Sequence, residues 1–169
     1  MFWFWFFTGP ALVLAFLSLR GERKRAAYVA ERLGQPRAAA LPAATVIVPV
    51  KGHDHGLREN LAALAAQDYP DYELIVVAHS AADIPAAVLP PRVRIVLSHA
   101  AESDTGEKVL NLRTAVRFAS QRSRVFAFAD SDGCVSPTWL RALVESLAGD
   151  RTGASSGYRW YAPEPPDFW

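Results

Sequence analysis

The sequence contains little cysteine, almost no net charge and few candidate metal-binding clusters. Its single cysteine, Cys134, excludes an internal disulfide and fits a reducing compartment. Eighteen basic and seventeen acidic residues leave a formal net charge of +1, which gives no electrostatic indication of nucleic-acid binding. The four histidines and the cysteine do not have the spacing of a zinc site.

The phosphate-binding motifs of two common nucleotide folds are also missing. Neither a G-x-G-x-x-G after a strand nor a G-x-x-x-x-G-K-[ST] occurs in the chain. These absences disfavour a dinucleotide-dependent oxidoreductase and a P-loop NTPase. A nucleotide bound here would need another means of holding its phosphates, such as a divalent cation.

The longest apolar stretch lies at the N-terminus. Met1 to Leu19 carries no charged residue, and about 20 apolar residues suffice for a helix to span a bilayer. A basic cluster begins at Arg20, and such flanks stay cytoplasmic. We therefore predict a transmembrane anchor over residues 1–20, in an inner or plasma membrane, with the rest of the chain in the cytoplasm. A cleaved signal peptide is disfavoured because a basic n-region and a small-x-small site are missing; a buried or interfacial helix is the other alternative.

Residues 21–44 are predicted to form a juxtamembrane helix and a linker. Glu22 to Leu33 has the pattern of a short amphipathic helix that Gly34 and Pro36 would end. The linker would then reach the start of an α/β region at Thr45.

From residue 45 onwards, apolar β-branched runs alternate with helical patterns. The expected strands are Thr45–Val50, Glu73–Ala78, Val93–Leu97 and Val125–Ala129. This alternation predicts right-handed βαβ crossovers and a mostly parallel sheet with flanking helices, as in Rossmann-like nucleotide-binding domains.

Two of the helices have sequence signals for their ends and faces. One is predicted over Asp104–Ser120, with a capping box of Asp104 and Glu107 and a buried face of Val109, Leu112 and Val116. Another is predicted to open with Ser136 as N-cap and Pro137 as its first residue.

The most informative feature is Asp130-Ser131-Asp132, which follows the fourth predicted strand directly. We call this tripeptide the acidic turn. Open α/β sheets bind ligands at the carboxyl ends of their strands, and two nearby carboxylates can hold a hard divalent cation that in turn binds a diphosphate. The alternative is a solvated turn, because Asp and Ser are common turn residues.

Further polar residues follow other strands of the same predicted sheet. Lys51 and Asp54 come after the first strand, Asp83 comes after the second, and Lys108 opens the long helix. Each has an ordinary structural interpretation, such as a polar loop for Lys51 or a helix cap for Asp83. Together they predict one crevice that holds carboxylates, a lysine and the acidic turn.

Four segments in order resemble a known family. V-I-V-P-V-K-G-H-D, Q-D-Y-P-D-Y-E-L-I-V-V, G-E-K-V-L-N-L and A-D-S-D-G-C-V-S-P-T-W-L are similar to inverting family 2 glycosyltransferases of the GT-A fold. The closest likeness is to the membrane branch that includes ceramide glucosyltransferases. It covers about residues 45–161, although that branch tends to have D-S-G where this chain has D-S-D.

The resemblance implies a nucleoside-diphosphate sugar donor, with a UDP-sugar expected, and a lipid or other membrane-associated acceptor. It implies that Asp54 lies near the nucleotide and that Asp83 meets the base or ribose. Lys108 would approach the diphosphate, while Asp130 and Asp132 would bind Mg²⁺ or Mn²⁺ bridging that diphosphate.

The family's catalytic base is a third Asp well beyond the acidic turn, followed by a (Q/R)-x-x-R-W motif. After Asp132 the chain has only Asp150 and Asp167, neither in a matching context, so the base stays unknown. We therefore expect residues 45–169 to be an incomplete donor-binding part of the domain. The alternatives are a noncatalytic nucleotide-binding membrane module and a nucleotidyltransferase that would bind triphosphates.

Overall fold

The computed structural model describes residues 2–33, 41–52, 54, 56–84, 89–98, 105–147 and 152–157. The chain divides into two units, Met1–Arg37 and Ala38–Trp169. The first contains helix α1 (Phe2–Leu33). The described part of the second contains β1 (Ala44–Pro49), α2 (Leu57–Ala65), β2 (Tyr72–Ala78), β3 (Arg94–Leu97), α3 (Glu107–Phe118), β4 (Val125–Phe128) and α4 (Trp139–Glu145), with a 3₁₀ turn at Ala81–Asp83.

Helix α1 is longer than the sequence suggested. The structure has one uninterrupted helix of 32 residues, so the separate helix predicted from Glu22 is wrong. Only Gly21 has a poor helix propensity at the expected break, and one glycine costs about 1 kcal/mol, too little to end a helix. The helix is long and apolar enough to cross a membrane by length and composition, and none of its side chains from Phe4 to Glu31 is buried. The expected stop signals, Gly34 and Pro36, lie outside the described residues.

The four described strands form one parallel sheet in the order β3-β2-β1-β4. Their bounds lie within about one residue of the predicted ones. The chain adds β2 and β3 on one side of β1 and then returns to pair β4 with the other side. The predicted α/β fold with a parallel sheet and flanking helices is thus confirmed.

Both faces of the sheet are covered by helices. On one face, strand residues such as Val46 and Val76 are fully buried with Leu61 of α2 and Leu140 of α4. On the other face, a smaller cluster surrounds Ala115 of α3 and contains Ile47, Ile75, Val77 and Val96. Burial on both faces explains why β1 and β2 read as continuous apolar runs rather than as alternating ones.

Strand β4 differs from the buried strand that its sequence predicted. Within the described sheet it is an edge strand that pairs with β1 alone. Phe126 and Phe128 are 41% and 53% exposed, whereas Ala127 on the opposite face is buried. The difference arises because α3 packs mainly against β1, β2 and β3.

Helix α3 begins at Glu107, three residues later than predicted, and its N-cap is Gly106 with no side-chain cap. The capping box expected from Asp104 is therefore wrong, and Asp104 itself lies outside the described residues. The buried positions are Asn111 and Ala115, whereas Val109 is 50% exposed. Leu112 and Val116 pack against the sheet as predicted, although they are only partly buried, so the prediction fails at Val109 alone.

Helix α4 begins at Trp139, so the prediction of Ser136 as N-cap and Pro137 as first residue is wrong. One of its N-terminal N–H groups is instead bonded from another element. The side chain of Gln67, just beyond α2, accepts a hydrogen bond from the Leu140 N–H at 2.9 Å. The buried amide of Gln67 thus caps the helix N-terminus in place of a local Ser or Thr side chain.

Two substitutions, one of a buried leucine and one of an exposed valine, should show which helix residues are buried. Leu61→Ala should lower the free energy of unfolding by about 2–5 kcal/mol because it leaves a cavity under the sheet. Val109→Ala, at an exposed site on α3, should change it by less than about 0.5 kcal/mol. Urea denaturation of the full chain in detergent measures both, and a large loss for Val109→Ala would favour the helix face that the sequence predicted.

Candidate active site

The strand order reverses between β1 and β4, and this reversal positions the candidate site. Chain segments that leave two such strands diverge, and the crevice between them is where parallel α/β sheets bind ligands. A cleft of about 460 Å³ lies there. Its lining residues come from the segment after β1, the first turns of α3 and the acidic turn after β4: Pro49, Val50, Lys51, Asp54, Glu107, Lys108, Asn111, Asp130, Ser131 and Asp132.

Four of the five predicted site residues therefore meet in one cleft. Asp54, Lys108, Asp130 and Asp132 come from three separate segments, and the sheet brings them together. Lys51, Glu107 and Asn111 join them.

Two ion pairs join the segments around the cleft. The Lys108 Nζ lies 2.5 Å from the Asp130 Oδ1, and the Lys51 Nζ lies 2.8 Å from the Glu107 Oε2. Both lysine side chains are largely exposed. Exposed pairs of this kind are only weakly stabilising, so either lysine can exchange its carboxylate for a phosphate at little cost.

Lys51 is fixed in its charged form. The hydrogen bond to Glu107 and the charge of that carboxylate raise the pKa of Lys51, and the more distant charge of Asp83 adds to the effect. The ammonium is therefore present at neutral pH, when an anionic ligand would arrive.

The acidic turn is anchored at its central residue. The Ser131 hydroxyl donates a hydrogen bond to the Asp54 carboxylate, so the segments after β1 and β4 are tied together. The Asn60 side chain of α2 donates from its Nδ2 to the Ser131 carbonyl at 2.9 Å. Sequence reasoning named Ser131 only as part of the acidic turn and missed Asn60. The available signal was a polar residue, Asn60, on the apolar face that Leu57, Leu61 and Leu64 define.

Asp83 is not among the residues that line the cleft. Its Oδ2 accepts hydrogen bonds from the N–H and the hydroxyl of Ser80, at 3.1 and 3.0 Å, and so caps the 3₁₀ turn. Its carbonyl accepts from the Gly52 N–H at 3.0 Å, which holds it beside the segment after β1. The structural interpretation as a cap is therefore observed, while contact with a base or ribose stays a prediction.

The charges of the cleft suit a divalent cation that carries phosphate oxygens. Its lining includes two lysines and four carboxylates, a formal excess of two negative charges. The described residues contain no group of three His, Cys, Asp or Glu that could hold a metal by themselves. Mg²⁺-type sites commonly use one or two carboxylates and complete the shell with substrate phosphates and water. Asp130 and Asp132 fit that kind of site.

Among its described residues, the structure has no aspartate beyond the acidic turn as a candidate for the catalytic base. The two aspartates that follow the turn, Asp150 and Asp167, lie outside them. The described cleft carboxylates are already engaged with Ser131 or a lysine, or belong to the acidic turn.

The fold has solved relatives. The chain is similar to the mannosyltransferase PcManGT from Pyrobaculum calidifontis, solved in complex with GDP-Man and Mn²⁺, at 25% identity and a TM-score of 0.53. The likeness covers 71% of this chain and 38% of that one, so the chain spans well under half of its neighbour's length. Two structures of TarS residues 1–349 from S. aureus, one with UDP-GlcNAc, are 22% and 23% identical, with TM-scores of 0.46 and 0.45. Each likeness covers 59% of this chain, and the two cover 30% and 29% of the respective TarS chains.

No protein of curated function matches the chain significantly. The profile of Glycosyl transferase family 21, in contrast, matches residues 3–159, which is nearly the whole sequence. It includes the apolar helix as well as the sheet and the cleft, and it confirms the resemblance to GT-A glycosyltransferases that the four sequence segments indicated. The chain belongs to glycosyl transferase family 21.

Proposed function

We propose that this chain is the donor-binding part of a membrane-bound, inverting glycosyltransferase. It would bind a nucleoside-diphosphate sugar, preferentially a UDP-sugar, for transfer to a lipid or other membrane-associated acceptor. The observation that carries the proposal is the cleft at the strand reversal, in which two lysines face a surplus of carboxylates. A diphosphate would be repelled by that surplus unless a divalent cation accompanied it.

The roles of the acidic turn follow from this charge balance. Asp130 and Asp132 would hold Mg²⁺ or Mn²⁺, and the cation would supply Lewis-acid stabilisation of the leaving nucleoside diphosphate. The related mannosyltransferase was solved with Mn²⁺ and GDP-Man, which supports a metal-assisted donor site of this type.

The lysines would bind the diphosphate directly. Lys108 now pairs with Asp130, and we propose that it turns from that carboxylate to a phosphate oxygen when the donor enters. Lys51, which lines the same cleft and pairs with Glu107, would supply a second ammonium group. Asp54 would lie near the nucleotide, and Asp83, behind the segment after β1, would approach the base or ribose.

An inverting transfer also needs a base that takes the proton of the acceptor hydroxyl. We assign this role to none of the cleft carboxylates, because each would be occupied by the cation, a lysine or Ser131. The alternative is a noncatalytic membrane module that binds the nucleotide without transferring the sugar. Sugar transfer by the full chain from a UDP-sugar would contradict that alternative.

Removing one carboxylate of the acidic turn should uncouple nucleotide binding from the metal. Asp132→Ala should weaken UDP affinity at least about 10-fold in Mn²⁺, since a carboxylate oxygen leaves the shell, and should not weaken the metal-free affinity, because it removes one of the charges that repel the diphosphate. Isothermal titration calorimetry of the full chain measures both.

The matched control is Asp71→Asn, because Asp71 is an exposed aspartate that pairs with Arg122 and does not line the cleft. It should bind as the unaltered protein does. Unchanged UDP affinity of Asp132→Ala in Mn²⁺ would contradict the metal site. Tighter binding of UTP than of the nucleotide sugar would instead favour a nucleotidyltransferase.

The membrane placement can be tested with the chain's own cysteine. We propose that α1 anchors the protein with all later residues on the cytoplasmic side. Cys134 is exposed, so a membrane-impermeant maleimide should label it only after the cells are permeabilised. Cys134→Ser should abolish labelling under both conditions. Labelling of intact cells would reverse the proposed orientation, and release of the chain by alkaline carbonate would contradict the anchor.

A further inference from the structure

Two buried amides hold the segment that begins at the acidic turn. Asn60 on α2 and Gln67 just beyond it are 5% and 7% exposed. Asn60 contacts the Ser131 carbonyl at 2.9 Å. Gln67 contacts the Ser136 carbonyl and the Leu140 N–H, each at 2.9 Å. The segment from the acidic turn to the start of α4 is thus held at both ends by one helix and its extension.

The two amides hold different parts of the segment. Gln67 makes three hydrogen bonds, the third to the Ala63 carbonyl at 2.9 Å, and these join α2 to the start of α4. Asn60 reaches only the middle of the acidic turn. Its acceptor belongs to the peptide group between Ser131 and Asp132, and that group is planar. A hydrogen bond to the Ser131 carbonyl therefore restricts the orientation of the peptide plane that precedes Asp132.

The acidic turn is tied to two other segments through Ser131, while the Asp132 side chain is exposed. Ser131 is held through its hydroxyl by Asp54 and through its carbonyl by Asn60. The hydroxyl bond ties the turn to another cleft carboxylate, whereas the carbonyl bond ties it to the buried side of α2.

An asparagine at this helix position destabilises the fold unless its amide group has a hydrogen-bond partner. It stands on the apolar face of α2 beside Leu57, Leu61 and Leu64, all buried, and a buried amide is unfavourable unless it is hydrogen-bonded. Asparagine is also a weaker helix former than alanine or leucine. The hydrogen bond to the Ser131 carbonyl offsets these costs.

We propose that Asn60 is a positioning residue for the acidic turn. By donating to the Ser131 carbonyl, it holds the turn so that Asp130 and Asp132 face one cation before the nucleotide arrives. The inference rests on the proposed function. Groups that orient metal ligands in this way change metal affinity by about 10-fold or more when they are removed.

The test is Asn60→Leu in the full-length chain in detergent, which keeps the number and branching of the side-chain heavy atoms, adds no charge and removes the donor. At saturating UDP, we expect the Mn²⁺ dissociation constant from electron paramagnetic resonance to rise about 10-fold. Metal-free UDP affinity and the melting temperature should stay close to those of the unaltered protein. Water proton relaxation should increase, because a carboxylate that leaves Mn²⁺ is replaced by water.

Gln67→Met is the matched control, since it removes a buried amide of the same helix extension without touching the acidic turn. It should lower the melting temperature and leave Mn²⁺ affinity within about twofold, as expected of an amide that only joins helices. If Asn60→Leu does not fold, Asn60→Ser is the second variant, because its hydroxyl is too short to reach the Ser131 carbonyl; the same expectations apply.

Unaltered Mn²⁺ affinity and relaxation in a folded Asn60 variant would overturn the inference. If Asp132→Ala still loses Mn²⁺ in that case, the proposed metal site stands and only the role of Asn60 fails. If the unaltered protein binds no Mn²⁺ with UDP, the proposed function and the inference fail together. Equal losses of melting temperature and Mn²⁺ affinity in the Asn60 and Gln67 variants would reduce Asn60 to a structural residue.

Discussion

The parallel pairing of β4 with the free side of β1 is the constraint on which the site depends. Four ladder positions, from Ala44 opposite Val125 to Ile47 opposite Phe128, set how far each strand reaches. That register brings the acidic turn beside the segment that carries Asp54. A shift by one residue would turn the β4 side chains to the opposite face and would separate the Ser131 hydroxyl from its carboxylate acceptor.

The fold and most of the site could be predicted because their causes are local. A strand buried on both faces must be apolar throughout, so β1 and β2 are visible in the sequence as unbroken runs. Parallel strands end at one edge of a sheet, so polar residues that follow several strands can be expected to meet. The sequence, joined to the family resemblance, therefore predicts that Asp54, Lys108, Asp130 and Asp132 lie together, as they do in the cleft.

What could not be predicted depends on contacts between distant parts of the chain. Gln67 and Leu140 are 73 positions apart in the sequence, and no local pattern links an amide after one helix to the start of another. Asn60 resembles a misplaced polar residue until its acceptor is known. Asp83 had two interpretations, a cap and a ligand contact, and the position of Ser80 shows that its carboxylate makes the first, while the second stays a prediction.

Strand β4 also has a consequence for how the sheet can be extended. Its outer edge has no neighbouring strand within the described residues, and Phe126 and Phe128 are exposed beside that edge. Unpaired N–H and C=O groups next to aromatic side chains form a template for strand addition, which natural sheets usually block with charge or proline. Within the described residues, the β4 edge is therefore the place at which a further strand, from the same domain or from a second molecule, can extend the sheet.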